Sequence, residues 1–272
     1  MGHDKQIILT GKTGYLGSEI YKLFSKEKIS LITAGRKNAD INVNLLLEKN
    51  VKKKLNFESN NILIHAAGFV PKEIKDYNNQ KKNLQNIKII KNILKTNIKN
   101  IIFISSFSVY GSKKKIKNQK VSIQKDTSEY AKSKIVCEKL LLNSKKKVII
   151  LRIPGLFGGN RKNGLIYNCI KFLNSKNKMD FTSFPIWTAI HVKDVAVAIK
   201  KILNKKFNNK IINLAYKNPM CAEEVIQYLY KIYKKKILFP NKNKFEYKNF
   251  KQNLITTSFK NRLKEEVLNY HD

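Results

Sequence analysis

The chain has 272 residues, a 42% hydrophobic fraction and a formal net charge of +36. This length holds one large domain with at most a small annex, and the hydrophobic content excludes wholesale disorder. No apolar run is long enough to suggest a membrane span. Cys137, Cys169 and Cys221 are odd in number and widely spaced, which fits a reduced, cytoplasmic protein and no metal site. The first strand starts almost at the N-terminus, so no signal peptide is expected. The positive charge is nearly all lysine, with arginine only at positions 36, 152, 161 and 262. Arginine is the preferred reader of phosphates and base edges, so the surplus reads as a solvated surface and no specific nucleic-acid partner is expected.

The apolar run Gln6-Ile7-Ile8-Leu9 leads into Thr10-Gly11-Lys12-Thr13-Gly14-Tyr15-Leu16-Gly17 and then Ser18 to Phe24. That is strand, glycine-rich turn, helix. Such glycines permit a tight turn and close backbone approach to a pyrophosphate, which the helix N-terminus then attracts. Gly11, Thr13, Gly14, Tyr15, Leu16 and Gly17 are therefore candidate cofactor contacts.

Lys28 to Arg36 reads as a second strand with a basic end. In dinucleotide-binding folds this end faces the adenosine ribose, where a cation suits a 2′-phosphate. Arg36, Lys37 and Lys12 favour NADP over NAD; alternatively, Arg36 is a surface cation or stacks on adenine while NAD binds. Asp40, followed by Ile41, is placed to reach the adenine amino group or is an exposed loop aspartate. Val43 to Leu55 reads as a lysine-rich helix. Asn61 to Gly68 reads as a buried strand ending in Ala66 and Ala67, small enough to leave room for a cofactor. His65 within it reads as structural.

Asn78 to Thr96 predicts an amphipathic helix with Leu84, Ile87, Ile90, Ile93 and Leu94 on its apolar face. Asn100 to Ser106 predicts the next strand, and Lys113 to Lys125 a mobile polar loop. Thr127 opens a helix through Leu142, which puts Tyr130 and Lys134 on one face, one turn apart. A neighbouring ammonium is expected to lower the phenol pKa, and a hydroxyl such as that of Ser106 would complete the site. Val148 to Leu151 predicts the strand that delivers Arg152. Arg161 is a candidate anion contact. Trp187 to Val192 reads as a short strand, with Asp194 a cap or structural partner of the following helix. Further elements are expected at Lys210–Leu214, Ala222–Tyr233 and Phe259–Leu268.

Together these segments resemble the extended short-chain dehydrogenase/reductase family, in its NAD(P)-dependent epimerase/dehydratase branch. The carrying motifs are the Thr10–Gly17 turn, His65-Ala66-Ala67-Gly68, Ser105 to Gly111, Tyr130-Ala131-Lys132-Ser133-Lys134, Leu151 to Gly158 and Ile190 to Ala196. The resemblance implies a doubly wound parallel α/β sheet, with a cofactor domain over residues 1–160 to which a helix and strand near 188–214 return, and a small substrate region over most of 161–272. It implies Tyr130 as acid/base, Lys134 on the nicotinamide ribose, and Ser106 on the reacting oxygen, with Ser105 or Ser108 as alternatives for that hydroxyl. Pro154 joins the cofactor contacts, and Ser108 and Arg161 the substrate contacts. Two departures bear on function. Phe107-Ser108 replaces the Asp-Glu pair that the family's dehydratases carry, and Gly155 replaces the usual asparagine after Arg152. The implied activity is hydride transfer on a nucleotide sugar, as a 4-ketosugar reductase or an epimerase, with a homodimer through the helices at 78–96 and 127–142. The alternatives are a non-catalytic NAD(P)-binding or RNA-associated protein, and a reductase of a carbonyl on a small non-nucleotide metabolite, which the missing asparagine and short annex would fit.

Overall fold

The computed structural model describes residues 5–111, 115–116, 119–175, 188–237, 246–247 and 254–270. Strand β1 (Ile7–Thr10) is followed by α1 (Tyr15–Lys26), β2 (Ile32–Gly35), β3 (Ile41–Asn42), α2 (Glu48–Lys54) and β4 (Ile62–His65). A 3-10 turn at Ile74–Asn78 precedes α3 (Gln80–Leu94), and another at Phe107–Tyr110 follows β5 (Asn100–Ser106). Then come β6 (Lys115–Ile116), α4 (Glu129–Leu142), β7 (Lys147–Ile153), β8 (Gly155–Phe157) and α5 (Leu165–Leu173). The chain continues through β9 (Ala189–His191), α6 (Val192–Leu203), β10 (Lys210–Asn213), α7 (Ala222–Ile232), β11 (Glu246–Tyr247) and α8 (Phe259–Asn269).

Seven strands form one parallel sheet in the order β10-β7-β5-β4-β1-β2-β3. Parallel strands need crossovers, and here the helices supply them on both faces. Leu9, Ile64, Ile102 and Leu151 pack on one face with α1, α5, α6, α7 and α8. Ile8, Leu63, Phe103 and Ile150 pack on the other with α2, α3 and α4. This alternation is the strand period of two with both faces buried. The chain runs outward from β1 to β2 and β3, then returns to β4 on the other side. The strand order therefore reverses between β1 and β4, where an open α/β sheet leaves a crevice at the carboxyl ends.

Two elements differ from expectation. The helix expected from Val43 begins only at Glu48, because asparagine side chains hold the preceding segment in turns. Asn44 Oδ1 accepts from the Leu46 N–H at 3.1 Å, and Asn50 Oδ1 from the Asn44 N–H at 2.7 Å. On α3, Ile90 and Ile93 are buried, but Leu84 is exposed while Asn83, Asn86 and Asn92 are buried. Their amides bond backbone carbonyls: Asn83 Nδ2 donates to Asp76 and Asn79, and Asn92 Nδ2 to Leu45. Hydropathy misreads this face because the asparagines cap neighbouring turns.

Candidate active site

The glycine turn is shaped by contacts that only glycine permits. Gly11 has φ +88°, and a Cβ there would lie 2.7 Å from the Ala66 and Ala67 backbone. A Cβ on Gly17 would lie 1.9 Å from the Gly11 carbonyl oxygen. Gly14 is the N-cap of α1 and offers no capping side chain. The first-turn N–H groups thus keep their partial positive charge at the crevice, beside exposed Thr13 and half-buried Tyr15. Leu16 and Gly17 are buried beneath the turn. A dinucleotide pyrophosphate fits this cradle.

Beside it, Lys12 Nζ lies 3.9 Å from the Tyr21 ring centroid. Arg36 is exposed just past β2, and half-buried Ile41 pairs with Ala34 on β3. Asp40 Oδ2 accepts from the Thr33 N–H at 2.7 Å and its hydroxyl at 2.8 Å. These bonds, with the Lys12 charge, hold the Asp40 carboxyl below the usual range. Asp40 closes the β2–β3 turn and leaves Lys12 and Arg36 as the cations at the strand end.

Across the crevice, β5 ends at Ser106. Its Oγ accepts from the Ser108 N–H at 3.1 Å and donates to Ser108 Oγ at 3.0 Å. It stands close enough to the Tyr130 phenol to favour the ionised form. Tyr130 is buried in the first turn of α4, which Ser128 caps by accepting from the Ala131 N–H at 3.3 Å. Lys134, one turn on, donates from Nζ to the Ile104 carbonyl at 3.0 Å and sits 5.8 Å from the Tyr130 ring centroid. Pro154 is buried next to Ile153, the β7 partner of Ser106. Ser106, Ser108, Tyr130, Lys134 and Pro154 are thus brought together.

The expected lowering of the phenol pKa is not what the site shows. Burial raises the Tyr130 pKa, and the Tyr77 phenol adds to the rise, while the nearby Ser106 hydroxyl lowers it less. Burial also lowers the Lys134 pKa. The Lys134 ammonium spends a hydrogen bond on Ile104, and desolvation outweighs it. Tyr77 was not foreseen. Its ring meets the Tyr130 ring edge-on, with centroids 5.8 Å apart, from a turn that sequence periodicity does not mark.

Arg161 is exposed, its guanidinium carbon 5.4 Å from the Tyr15 ring centroid, and it hydrogen-bonds Asn163. The Tyr15 hydroxyl donates to the Gly158 carbonyl at 2.5 Å. Arg161 accordingly stands beside the first residue of α1. Asp194 is a structural partner: it pairs with Arg262 and accepts from the Tyr216 hydroxyl at 2.7 Å, while His191 is the cap of α6. Trp187 and part of the lysine-rich loop lie outside the described residues. Among the described residues no His/Cys/Asp/Glu cluster suits a metal, and the three cysteines are free and buried.

His65 is structural in kind. Its Nδ1 shares a 2.7 Å hydrogen bond with Thr10 Oγ1, its ring stacks on Phe103, and burial lowers its pKa to about 3. The unfolded chain takes up this proton near pH 6.5 and the folded chain does not. Its contribution is complete above that pH and is lost as pH falls. Denaturant titrations should show a loss of about 2 kcal/mol between about pH 6.5 and 5, flattened in His65→Asn.

The profile of the NAD dependent epimerase/dehydratase family matches residues 7–215. The chain belongs to that family. Its seven-stranded parallel sheet flanked by helices is a Rossmann-like α/β fold. Among curated relatives, it is 25% identical over 226 residues to methionine adenosyltransferase 2 subunit beta of Xenopus laevis, covering 78% of this chain and 66% of that protein. To the Bos taurus protein of the same name it is 24% identical over 217 residues, covering 75% and 63%. The chain thus spans about two thirds or less of these relatives' length. Among solved structures, UDP-N-acetylglucosamine 4-epimerase from Bacillus cereus superposes with a TM-score of 0.75 at 18% identity, covering 99% of this chain and all of that one (100%). RMD from Pseudomonas aeruginosa, complexed with NADPH, gives 0.72 at 16% identity, covering 98% and 100%. These likenesses show the fold. No helix among the described residues is long and apolar enough to cross a membrane.

Proposed function

We propose that this chain is a reductase that takes a hydride from NADPH and delivers it to a nucleotide-linked 4-ketosugar. Bound cofactor supplies the hydride. Ser106 holds the reacting oxygen, Tyr130 gives its proton to that oxygen, and Lys134 anchors the nicotinamide ribose. Residues 1–160 form most of the cofactor half and 161–272 most of the substrate half, in a cytoplasmic protein.

The observation that carries this reading is the pair of cations near the end of β2: Arg36, exposed just past the strand, and Lys12, close enough to act on Asp40 in the β2–β3 turn. Reduction needs a proton donor at the developing alkoxide. An epimerase would use the same residues, so cofactor preference is what separates the two readings. Phe107 and Ser108, where dehydratases of the family carry an acidic pair, speak against elimination. The cations Lys12 and Arg36 at the end of β2 support NADP over NAD. Purified protein titrated with each reduced cofactor should prefer NADPH. Arg36→Ala should weaken NADPH binding by about tenfold or more and leave NADH binding unchanged. Equal binding of both in the parent would move the reading to an epimerase.

A second reading rests on the relatives named as a methionine adenosyltransferase subunit. In it the chain binds NADPH without turnover and acts as the subunit of another enzyme. NADPH binding with no ketosugar reduction separates the two. The homodimer through α3 and α4 belongs to the first reading, and sedimentation velocity tests it.

A further inference from the structure

Behind Ser106, Tyr130 and Lys134 lies a buried polar cluster that the proposed reaction does not use. Arg152 on β7 is 1% exposed and Glu138 on α4 is 3% exposed. Arg152 Nε donates to both Glu138 oxygens, at 3.0 and 3.2 Å, and Nη2 donates to Oε2 at 2.6 Å. Its Nη1 donates to the Tyr110 hydroxyl at 2.9 Å and the Gln119 carbonyl at 2.7 Å. The Ser105 hydroxyl donates to Glu138 Oε1 at 2.5 Å, and the Tyr110 hydroxyl to Asn213 Oδ1 at 2.7 Å.

Ser105, Tyr110 and Glu138 each sit one step from the candidate site. Ser105 precedes Ser106 on β5 and is the register partner of Arg152. Tyr110 ends the 3-10 turn that carries Ser108. Glu138 is one helical turn beyond Lys134. Stability alone does not account for such a cluster, because a well-packed apolar pair in place of a buried ion pair is commonly neutral or stabilising. What the ion pair supplies is geometry: a bidentate fork fixes both distance and orientation.

We propose that Glu138 and Arg152 are positioning residues, locking α4 to the ends of β5 and β7 so that Lys134 and Tyr130 stay aligned with Ser106. This rests on reading those three residues as the reacting set. The charges around Lys134 agree. It faces Tyr130, Cys137 and Glu138 on its own helix and His65 on β4. Burial keeps His65 neutral and pushes the Cys137 thiol up to about 12. Glu138 is then the anion that favours the Lys134 ammonium against its own burial.

The test is NMR of lysine labelled with carbon-13 at Cε. The Lys134 signal is displaced by the Phe103 and Tyr130 rings and is identified by its loss in Lys134→Arg. In Glu138→Gln its titration midpoint should fall by about one pH unit or more. Should that variant fail to fold, Glu138→Met/Arg152→Leu supplies a packed apolar pair. It should keep the parent's thermal stability, titrate Lys134 lower, and lose about tenfold or more in kcat with little change in KM. A folded variant with the parent's Lys134 titration overturns the proposal. If the parent reduces no ketosugar, the functional reading fails, while the Lys134 titration still decides the positioning role.

Discussion

Tyr130→Phe is expected to lower ketosugar reduction by about 10³-fold while leaving NADPH affinity within about twofold of the parent. The ring is buried, so phenylalanine fills the same volume against Tyr77 and the site keeps its shape. What is lost is the proton that Tyr130 gives to the substrate oxygen in the proposed reaction. Single-turnover absorbance of NADPH, with equilibrium binding alongside, separates these quantities. Retained turnover would remove Tyr130 from the chemistry. Equal losses of binding and turnover would make it a cofactor-site residue only.

Gly17→Ala should be severely damaging, costing about 4 kcal/mol or more, or abolishing folding. The added carbon would fall 1.9 Å from the Gly11 carbonyl oxygen. That oxygen belongs to backbone, and it accepts the Gly14 N–H at 2.9 Å. The strain therefore cannot be relieved by a side-chain rotation. It must open the turn, move α1 off β1, or both. Guanidinium unfolding measures the loss. A variant with the parent's midpoint would mean that the α1–β1 packing is looser than its geometry implies.

Much of this architecture was legible in the sequence because its signals are local. The run Asn100–Ser106 matches β5 residue for residue, since a buried parallel strand is a continuous apolar run. The Thr10–Gly17 turn was readable because its glycines answer backbone demands rather than packing ones. Tyr130 and Lys134 share one face of α4, with Lys134 Nζ 5.8 Å from the Tyr130 ring centroid, and the roles proposed for them and for Ser106 come from the family resemblance rather than from the Tyr-x-x-x-Lys spacing. The misreadings come from side chains whose partners are distant in sequence. Leu84 lies in the open while Asn83 and Asn86 are buried, because their amides cap turns that hydropathy does not see. The phenol was expected to be acidified by Lys134, but spacing says nothing of burial, and burial wins. Tyr77 reaches the site from a 3-10 turn with no periodic signature.

The burial of Tyr130 links fold to function. It follows from placing a phenol in the first turn of a helix packed against β5. In the proposed reaction that phenol gives its proton to a carbonyl oxygen, while the cations near the end of β2 suit the phosphorylated, reducing cofactor.

The measurement that tests this most directly is NADPH consumption by the purified protein against a panel of nucleotide-linked 4-ketosugars, with NADH run in parallel. The account predicts oxidation of NADPH matched mole for mole by hydroxysugar, with NADH much slower. NADPH bound but never oxidised across the panel, or tightly held NAD with interconversion of hydroxysugar epimers, would contradict it.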